Sequence, residues 1–193
     1  MMKKKTAVLL SICLVCAAAF AGCQSKTPEA VSDTKESVQI KVDTEDLLVK
    51  HEFYVTAEGE GWTEYMGLYS GKDTDKLTAL TIETQFDKSA GYTMDLFEDE
   101  DIDDTYPGFS KLSFANYLLN EDEDSISMVL LFRDLDTYKN AKELVDKGFI
   151  DYDSRKLSKD KHFVAEEFRK FLKDNGAEEV KLLDYDKLYI YKG

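Results

Sequence analysis

Cysteine is scarce in this chain, and where it occurs it is confined to one end. The 193 residues include three, Cys13, Cys16 and Cys23. Cys13 and Cys16 fall in a stretch that reads as a secretory leader, and Cys23 follows it directly, so the rest has no thiol. That excludes a disulfide framework, a thiolate zinc site and a cysteine nucleophile from the folded part. Histidine is rarer still, with two, His51 and His162. The most apolar run, Thr6 to Phe20, has 15 residues, too few for a spanning helix, which needs about 20. No nucleophile elbow occurs, since Gly67-Leu68-Tyr69-Ser70-Gly71 has the wrong spacing. No phosphate loop or dinucleotide fingerprint occurs either. Positive charge is in deficit, with 25 Lys+Arg against 39 Asp+Glu and a formal net charge of −14. Phosphate recognition needs a basic footprint, so nucleic acid is excluded as a partner.

What remains is enough to fold. Hydrophobic residues make up 43% and aromatics 12%, which excludes a wholly disordered chain. The N-terminus has the layout of a secretory signal: Lys3, Lys4 and Lys5, an apolar run, then small residues. Phe20-Ala21-Gly22-Cys23 resembles the bacterial lipobox. That resemblance implies cleavage before Cys23, palmitate-type acylation of its thiol, and a cell-membrane location facing away from the cytoplasm. Removing residues 1–22 would leave 171 residues and, with three lysines gone and no acid lost, a formal charge of −17. Residues 23–37 then form a lipidated cysteine and a polar tether. At about 3.3 Å per residue the tether reaches roughly 45 Å when extended.

Residues 38–193 read as one α+β domain: a mostly antiparallel sheet with two helices from the C-terminal half packed on one face. Val38, Ile40 and Val42 alternate with polar residues. So do the runs around Leu47–Val55, Trp62–Leu68 and Leu80–Phe86, with turns at Glu58–Gly61 and Ser70–Asp73. Such short connections join antiparallel neighbours. After an ambiguous stretch, 89–104, Leu112–Leu118 and Ile126–Phe132 pair across the loop Glu121–Asp124. Val129 and Leu131 fill the alternate positions of the second of these strands, so both its faces should be covered. Asp136 is placed to cap a helix carrying Tyr138, Ala141, Leu144 and Val145, ended by Gly148. Ser158 or Asp160 is placed to cap another, with Val164, Phe168, Phe171 and Leu172 as its stripe and a Glu166–Lys170 pair outside. Val180–Leu183 and Leu188–Tyr191 then read as closing strands around the turn 184–186.

This order of elements resembles the YehR-like bacterial lipoproteins, a family of small anchored proteins of unknown function. The features that carry the likeness are the lipobox, the tether and the early meander. Tyr106-Pro107-Gly108-Phe109, the acidic hairpin loop at 121–124 and Asp134-Leu135-Asp136 add to it, as does the helix, glycine and strand of Phe168 to Val180. The resemblance implies a fold and a location. It brings no catalytic residues.

Three groups of residues are candidates for chemistry or binding. His51 falls on the apolar register of its strand and His162 near a helix start. A lone imidazole needs a partner to act, and His51-Glu52 lacks the second histidine of a zinc-protease helix because Val55 stands there. The acids are the sharpest anomaly. Glu98-Asp99-Glu100-Asp101 with Asp103-Asp104 puts six in seven positions, and Glu121–Asp124 adds four. Asp99, Asp101, Asp103 and Asp104 suggest a calcium site, although the glycine of an EF-hand loop is missing. As surface charge the same residues would be solvated or would attract a cationic protein or peptide. Tyr54, Tyr65 and Tyr69, with Trp62 nearby, are candidates for a ligand-binding face. The expectation is a membrane-anchored, non-enzymatic binding module without a cofactor. A calcium-binding envelope domain and a carboxylate enzyme are the alternatives.

Overall fold

Period-two patterning becomes a six-stranded antiparallel sheet. The computed structural model describes residues 49–98 and 101–192. The leader, Cys23, the tether and the expected strand at 38–42 therefore lie outside the described residues, as do Asp99 and Glu100. The strands are β1 (Val49–Gly59), β2 (Trp62–Gly71), β3 (Leu77–Asp87), β4 (Ala115–Glu121), β5 (Ser125–Phe132) and β6 (Glu178–Glu179). Their spatial order is β4-β5-β3-β2-β1-β6. The meander β1–β2–β3 forms as the short turns require. β5 then packs beside β3, and every one of its residues from Ile126 to Phe132 is buried, as the apolar filling of both its faces implies.

The described helices are α1 (Asp95–Glu98), α2 (Ile102–Thr105), α3 (Tyr138–Asp146), α4 (Ser154–Asp160) and α5 (Ala165–Asp174). α3 and α5 present the expected stripes: Ala141 and Leu144 are buried on one, Phe168 and Leu172 on the other. Gly148, at φ +78°, ends the α3 segment in the left-handed region. The main core lies between these helices and one sheet face, where Tyr54, Met66, Leu80, Leu130 and Phe132 meet Leu144, Phe149, Leu157, Phe163 and Phe168. Arg169 Nε on α5 donates to Glu52 Oε2 on β1 at 2.6 Å, which ties the helix to the sheet.

Several local expectations change. The strand expected from Leu112 starts only at Ala115, because Phe109–Lys111 makes a 3-10 turn that sends Phe109, Leu112 and Phe114 into the core. Thr137, not Asp136, holds the N-cap position of α3, and its hydroxyl turns back to the Asp134 carbonyl at 2.9 Å. Neither Ser158 nor Asp160 caps α5; both belong to α4. The cap of α5 comes from the β2–β3 turn instead. Asp75 O accepts from Ala165 N at 2.9 Å, and Asp75 Oδ1 accepts from Glu166 N at 3.2 Å. Lys170 pairs with Asp174, at 2.7 Å, rather than with Glu166.

The largest difference is at the C-terminus. Of the described C-terminal residues, Glu178–Glu179 pairs with β1 and Val180 N donates to Phe53 O at 2.9 Å, and the pairing goes no further. Leu182–Lys187 is a 3-10 turn and residues 188–191 are irregular, so the closing strands do not form. The segment crosses the second face of the sheet, where Tyr185 and Leu188 are buried against Phe53, Tyr69, Ala79 and Leu131. Burying a leucine contributes about 1.5–3 kcal/mol, which favours this path over an exposed edge pairing. The sheet is thus covered by helices on one face and by the chain's own tail on the other.

Candidate functional site

The four aromatics of the candidate face are not brought together. Cross-strand partners share a face, and Tyr54 opposes Met66 while Tyr65 opposes Val55 and Tyr69 opposes His51. Tyr54 therefore points into the helix-side core, and Trp62, which opposes Phe86, lies half-buried on the same face. Tyr65 and Tyr69 point to the tail side. Trp62 is parted from Tyr65 and Tyr69 by the alternation of β2 itself, and Tyr54 by one extra residue in β1. The register shifts between Val55 and Ala57, leaving Thr56 as a bulge. Without it, Tyr54 would oppose Gly67 and share a face with Tyr65 and Tyr69, because a one-residue slip turns every side chain over.

Glu64 pins that bulge. Thr56 Oγ1 donates to the Glu64 carboxylate at 2.8 Å and lies 3.2 Å from the Glu64 carbonyl. Glu64 is buried, and burial pushes its carboxyl above the usual range while the Thr56 bond opposes the rise. Nearby, the buried Tyr106 hydroxyl has no hydrogen-bond partner among the described residues. Burial, with the Glu64 charge as a smaller contribution, pushes its pKa up. Glu64 interrupts the apolar register Trp62-Glu64-Met66-Leu68, a signal legible in the sequence.

On the tail side the sheet presents polar side chains to the tail's backbone. Glu83 is only 2% exposed, and its Oε2 accepts from Tyr189 N at 2.8 Å. Gln85 Nε2 donates to Glu83 Oε1 at 2.9 Å and to Lys187 O at 2.6 Å. Tyr69 Oη donates to Tyr189 O at 3.0 Å and accepts from Tyr191 N at 3.2 Å. Burial raises the Glu83 carboxyl above its usual value, and the bonds from Gln85, Tyr189 and Ser127 oppose it. Glu83 opposes Tyr65 whereas Glu64 opposes Thr84, so the two buried carboxylates lie on opposite faces and cannot act on one substrate.

His51 sits at the margin of this face, its ring 5.4 Å from Tyr185 and 5.8 Å from Phe53. Its Nε2 is buried without a hydrogen-bond partner among the described residues. Burial lowers its pKa below the usual imidazole value, and the Glu52 charge opposes the shift. His162 lies in the link between α4 and α5, half-buried, before Phe163, whose carbonyl accepts from Leu77 N at 3.1 Å.

The described acids of the first cluster organise their own segment. Asp101 Oδ1 accepts from Asp103 N at 3.0 Å. Asp103 accepts from Ser110 N at 2.8 Å and from Ser110 Oγ at 2.5 Å. These bonds hold the Asp103 carboxyl below the usual carboxylate range. Asp104 is exposed. Among the described residues no three metal-ligating side chains converge. Glu121–Asp124 is exposed at the tip of the β4–β5 hairpin, where Lys88 Nζ bridges Glu121 at 2.9 Å and Lys88 N donates to Asp124 O at 3.0 Å. A shallow hollow of about 500 Å³ runs along the outside of α3, lined by Tyr138, Lys139, Lys142 and Lys147 among others. No described helix is long and apolar enough to cross a membrane.

The sequence matches no family model and no curated protein. In structure the chain is similar to the YehR protein of E. coli, solved by NMR, at a TM-score of 0.46 and 15% identity. That match covers 70% of this chain and 92% of the other. It is also similar to a Streptococcus pneumoniae TIGR4 protein solved by NMR, at a TM-score of 0.42 and 14% identity, covering 82% of this chain and all of the other.

Proposed function

We propose that this chain is a membrane-anchored extracytoplasmic lipoprotein, lipidated at Cys23, whose domain is a non-catalytic binding module for a cationic protein or peptide. The lipobox and leader support the anchor. One observation supports the binding reading: exposed carboxylates gather at the end of the sheet opposite the chain's entry. Val49, where the chain enters β1, opposes Gly71 at one end. At the other end Gly59, Trp62, Phe86, Ile126 and Glu121 oppose one another in turn. That far end carries exposed Glu58, Glu60, Asp87 and the hairpin acids 121–124. A domain tethered through its N-terminus would present these carboxylates away from the membrane, where they steer basic partners and speed encounter. The calcium alternative loses ground because Asp101 and Asp103 already accept bonds within their own loop.

Two measurements test this. Radiolabelled palmitate should label the wild-type chain in cells and not the Cys23→Ser variant, which should leave the membrane fraction. Equal labelling of both overturns the anchor. An immobilised lysine-rich peptide should capture the chain at low salt, less at high salt, and less when residues 121–124 are changed to Asn and Gln. Capture indifferent to both changes overturns the binding reading.

A further inference from the structure

We propose that the outer edge of β4 pairs with β4 of a second copy of this chain, antiparallel and about a two-fold axis at Leu118, so that two six-stranded sheets join into one. This inference does not rest on the acidic end or on the lipid anchor.

The two edges of the sheet are built differently. β6 closes one edge with two residues, Glu178 and Glu179, both charged and exposed. Short, charged edge strands resist further pairing. β4 closes the other edge with seven residues, Ala-Asn-Tyr-Leu-Leu-Asn-Glu. It has no lysine and no proline, and its one charge is at the end. Its register with β5 runs from Ala115 to Glu121 without a bulge. The short length, lysine, proline and bulge that blunt an edge are therefore all missing. Among the described residues no strand pairs on the outer side of β4. None of its residues is buried, whereas Ile126 to Phe132 beside it all are. Such an edge is a template for another strand.

The sequence of the edge says which strand fits. Side chains alternate, so opposed residues share a face only in every second register. A two-fold pair centred on Leu118 is one of these registers, and it is the one that opposes all seven residues. Leu118 then meets Leu118, Asn116 meets Asn120 of the other copy, Tyr117 meets Leu119 and Ala115 meets Glu121. On the tail side, where Asn116 opposes Leu131 of its own chain, two amide pairs flank a leucine pair. On the helix side, where Leu119 opposes Met128, a tyrosine meets a leucine on each side of the axis. Polar meets polar and apolar meets apolar, with Ala115 and Glu121 as the exception at the ends. The centre, Asn-Tyr-Leu-Leu-Asn, is thus complementary to itself, as a contact between identical patches requires.

Two further observations favour a copy of the chain over an unrelated strand. Leu118 is half-buried and lies outside both core clusters, and the leucine of a second copy would cover it. Beyond the ladder, the exposed acids 121–124 of one copy lead toward Lys111 of the other, which is exposed just before its β4. A ladder of seven residues is about 24 Å long. That is a small contact, so the dimer should be weak and reversible.

Sedimentation equilibrium of the full chain in density-matched detergent, over a concentration series, tests this. The wild type should show a reversible monomer–dimer equilibrium. Leu118→Lys sets two ammonium groups face to face at the axis and should leave only monomer. Two double variants at the exposed Asn116 and Asn120 test the register. Asn116→Lys with Asn120→Glu makes two opposite-charge pairs across the axis, whereas Asn116→Lys with Asn120→Lys makes two like-charge pairs. The first should dimerise at least about fourfold more tightly than the second. Bulk charge predicts the reverse, because the added lysines lower the net negative charge and its self-repulsion. The two positions lie about 14 Å apart along one strand, so neither pair forms within a monomer. Both double variants should keep the wild-type circular dichroism, and they carry the test if Leu118→Lys does not fold. Monomer at every wild-type concentration overturns the proposal, as does equal or reversed affinity in the two double variants. A dimer undiminished by a folded Leu118→Lys variant places the interface elsewhere and overturns it too.

Discussion

Gly67 lies at the centre of the sheet, opposite Phe53 on β1 and Thr81 on β3, and Gly67→Ala probes the packing on the tail side directly. A Cβ there would stand 2.3 Å from Thr81 Oγ1 and 2.7 Å from Phe53 Cε1. Ordinary contacts of a methyl with carbon lie near 3.5–4.0 Å, so the Phe53 ring must retreat by about 1 Å. It has little room, since it packs edge-on at 4.9 Å from Tyr185 and 6.0 Å from Tyr69. One methyl forced into a packed interior costs about 1–3 kcal/mol. For a domain of this size, each kcal/mol lowers Tm by about 2–4 °C. The damage should fall on the tail first, because Phe53 can move only by displacing Tyr185. Calorimetry should show the lower Tm, and hydrogen exchange should show faster loss of protection at Tyr189 and Tyr191 than at Leu144 in the helix-side core. An unchanged Tm, or uniform loss across both faces, would refute the packing argument.

Other perturbations follow from the buried charges and caps. Asp75→Ala removes the carboxylate that receives Glu166 N at the start of α5 and should cost about 0.5–2 kcal/mol in urea unfolding. The Glu64 carboxyl is raised in the folded state, so its contribution is fully present below the unfolded value and falls as pH rises through the folded one. Glu64→Gln keeps an acceptor for Thr56 without the charge, so the variant should gain on wild type between pH 4 and pH 7 in the same assay. His51 is lowered, which has the opposite sense: folding loses stability as pH falls below the unfolded value near 6.5. His51→Phe should therefore abolish part of the difference in Tm between pH 7 and pH 5, and an equal difference in the variant would contradict the assignment.

Much of the fold is legible in the sequence because one face of each strand and one stripe of α3 and α5 must be apolar. β5 shows its double burial by having no polar alternation from Met128 to Phe132. α4 is not legible: Ser-Arg-Lys-Leu-Ser-Lys-Asp has Leu157 as its one buried residue, which gives no periodicity to read. The α5 cap comes from Asp75, far away in sequence, so no local pattern announces it. The tyrosine face fails for a similar reason. Its three tyrosines would share a face in an unbroken hairpin, and a single bulged residue, Thr56, sends Tyr54 to the other side, while Trp62 lies off that face by the alternation of β2. Glu83 reads as a wet-face residue because nothing in Leu182–Tyr191 declares that it will lie across the sheet instead of joining its edge.

The claim at the centre of this account is that the C-terminal segment closes the second sheet face through bonds to its backbone. Residue-resolved amide exchange tests it most directly. The amides of Val180, Tyr189 and Tyr191 donate to Phe53 O, Glu83 and Tyr69 respectively. They should exchange more slowly than in the free 184–192 peptide and its N-terminal extension, and faster than Met66 in the sheet. Exchange of all three at the free-peptide rate would contradict the account.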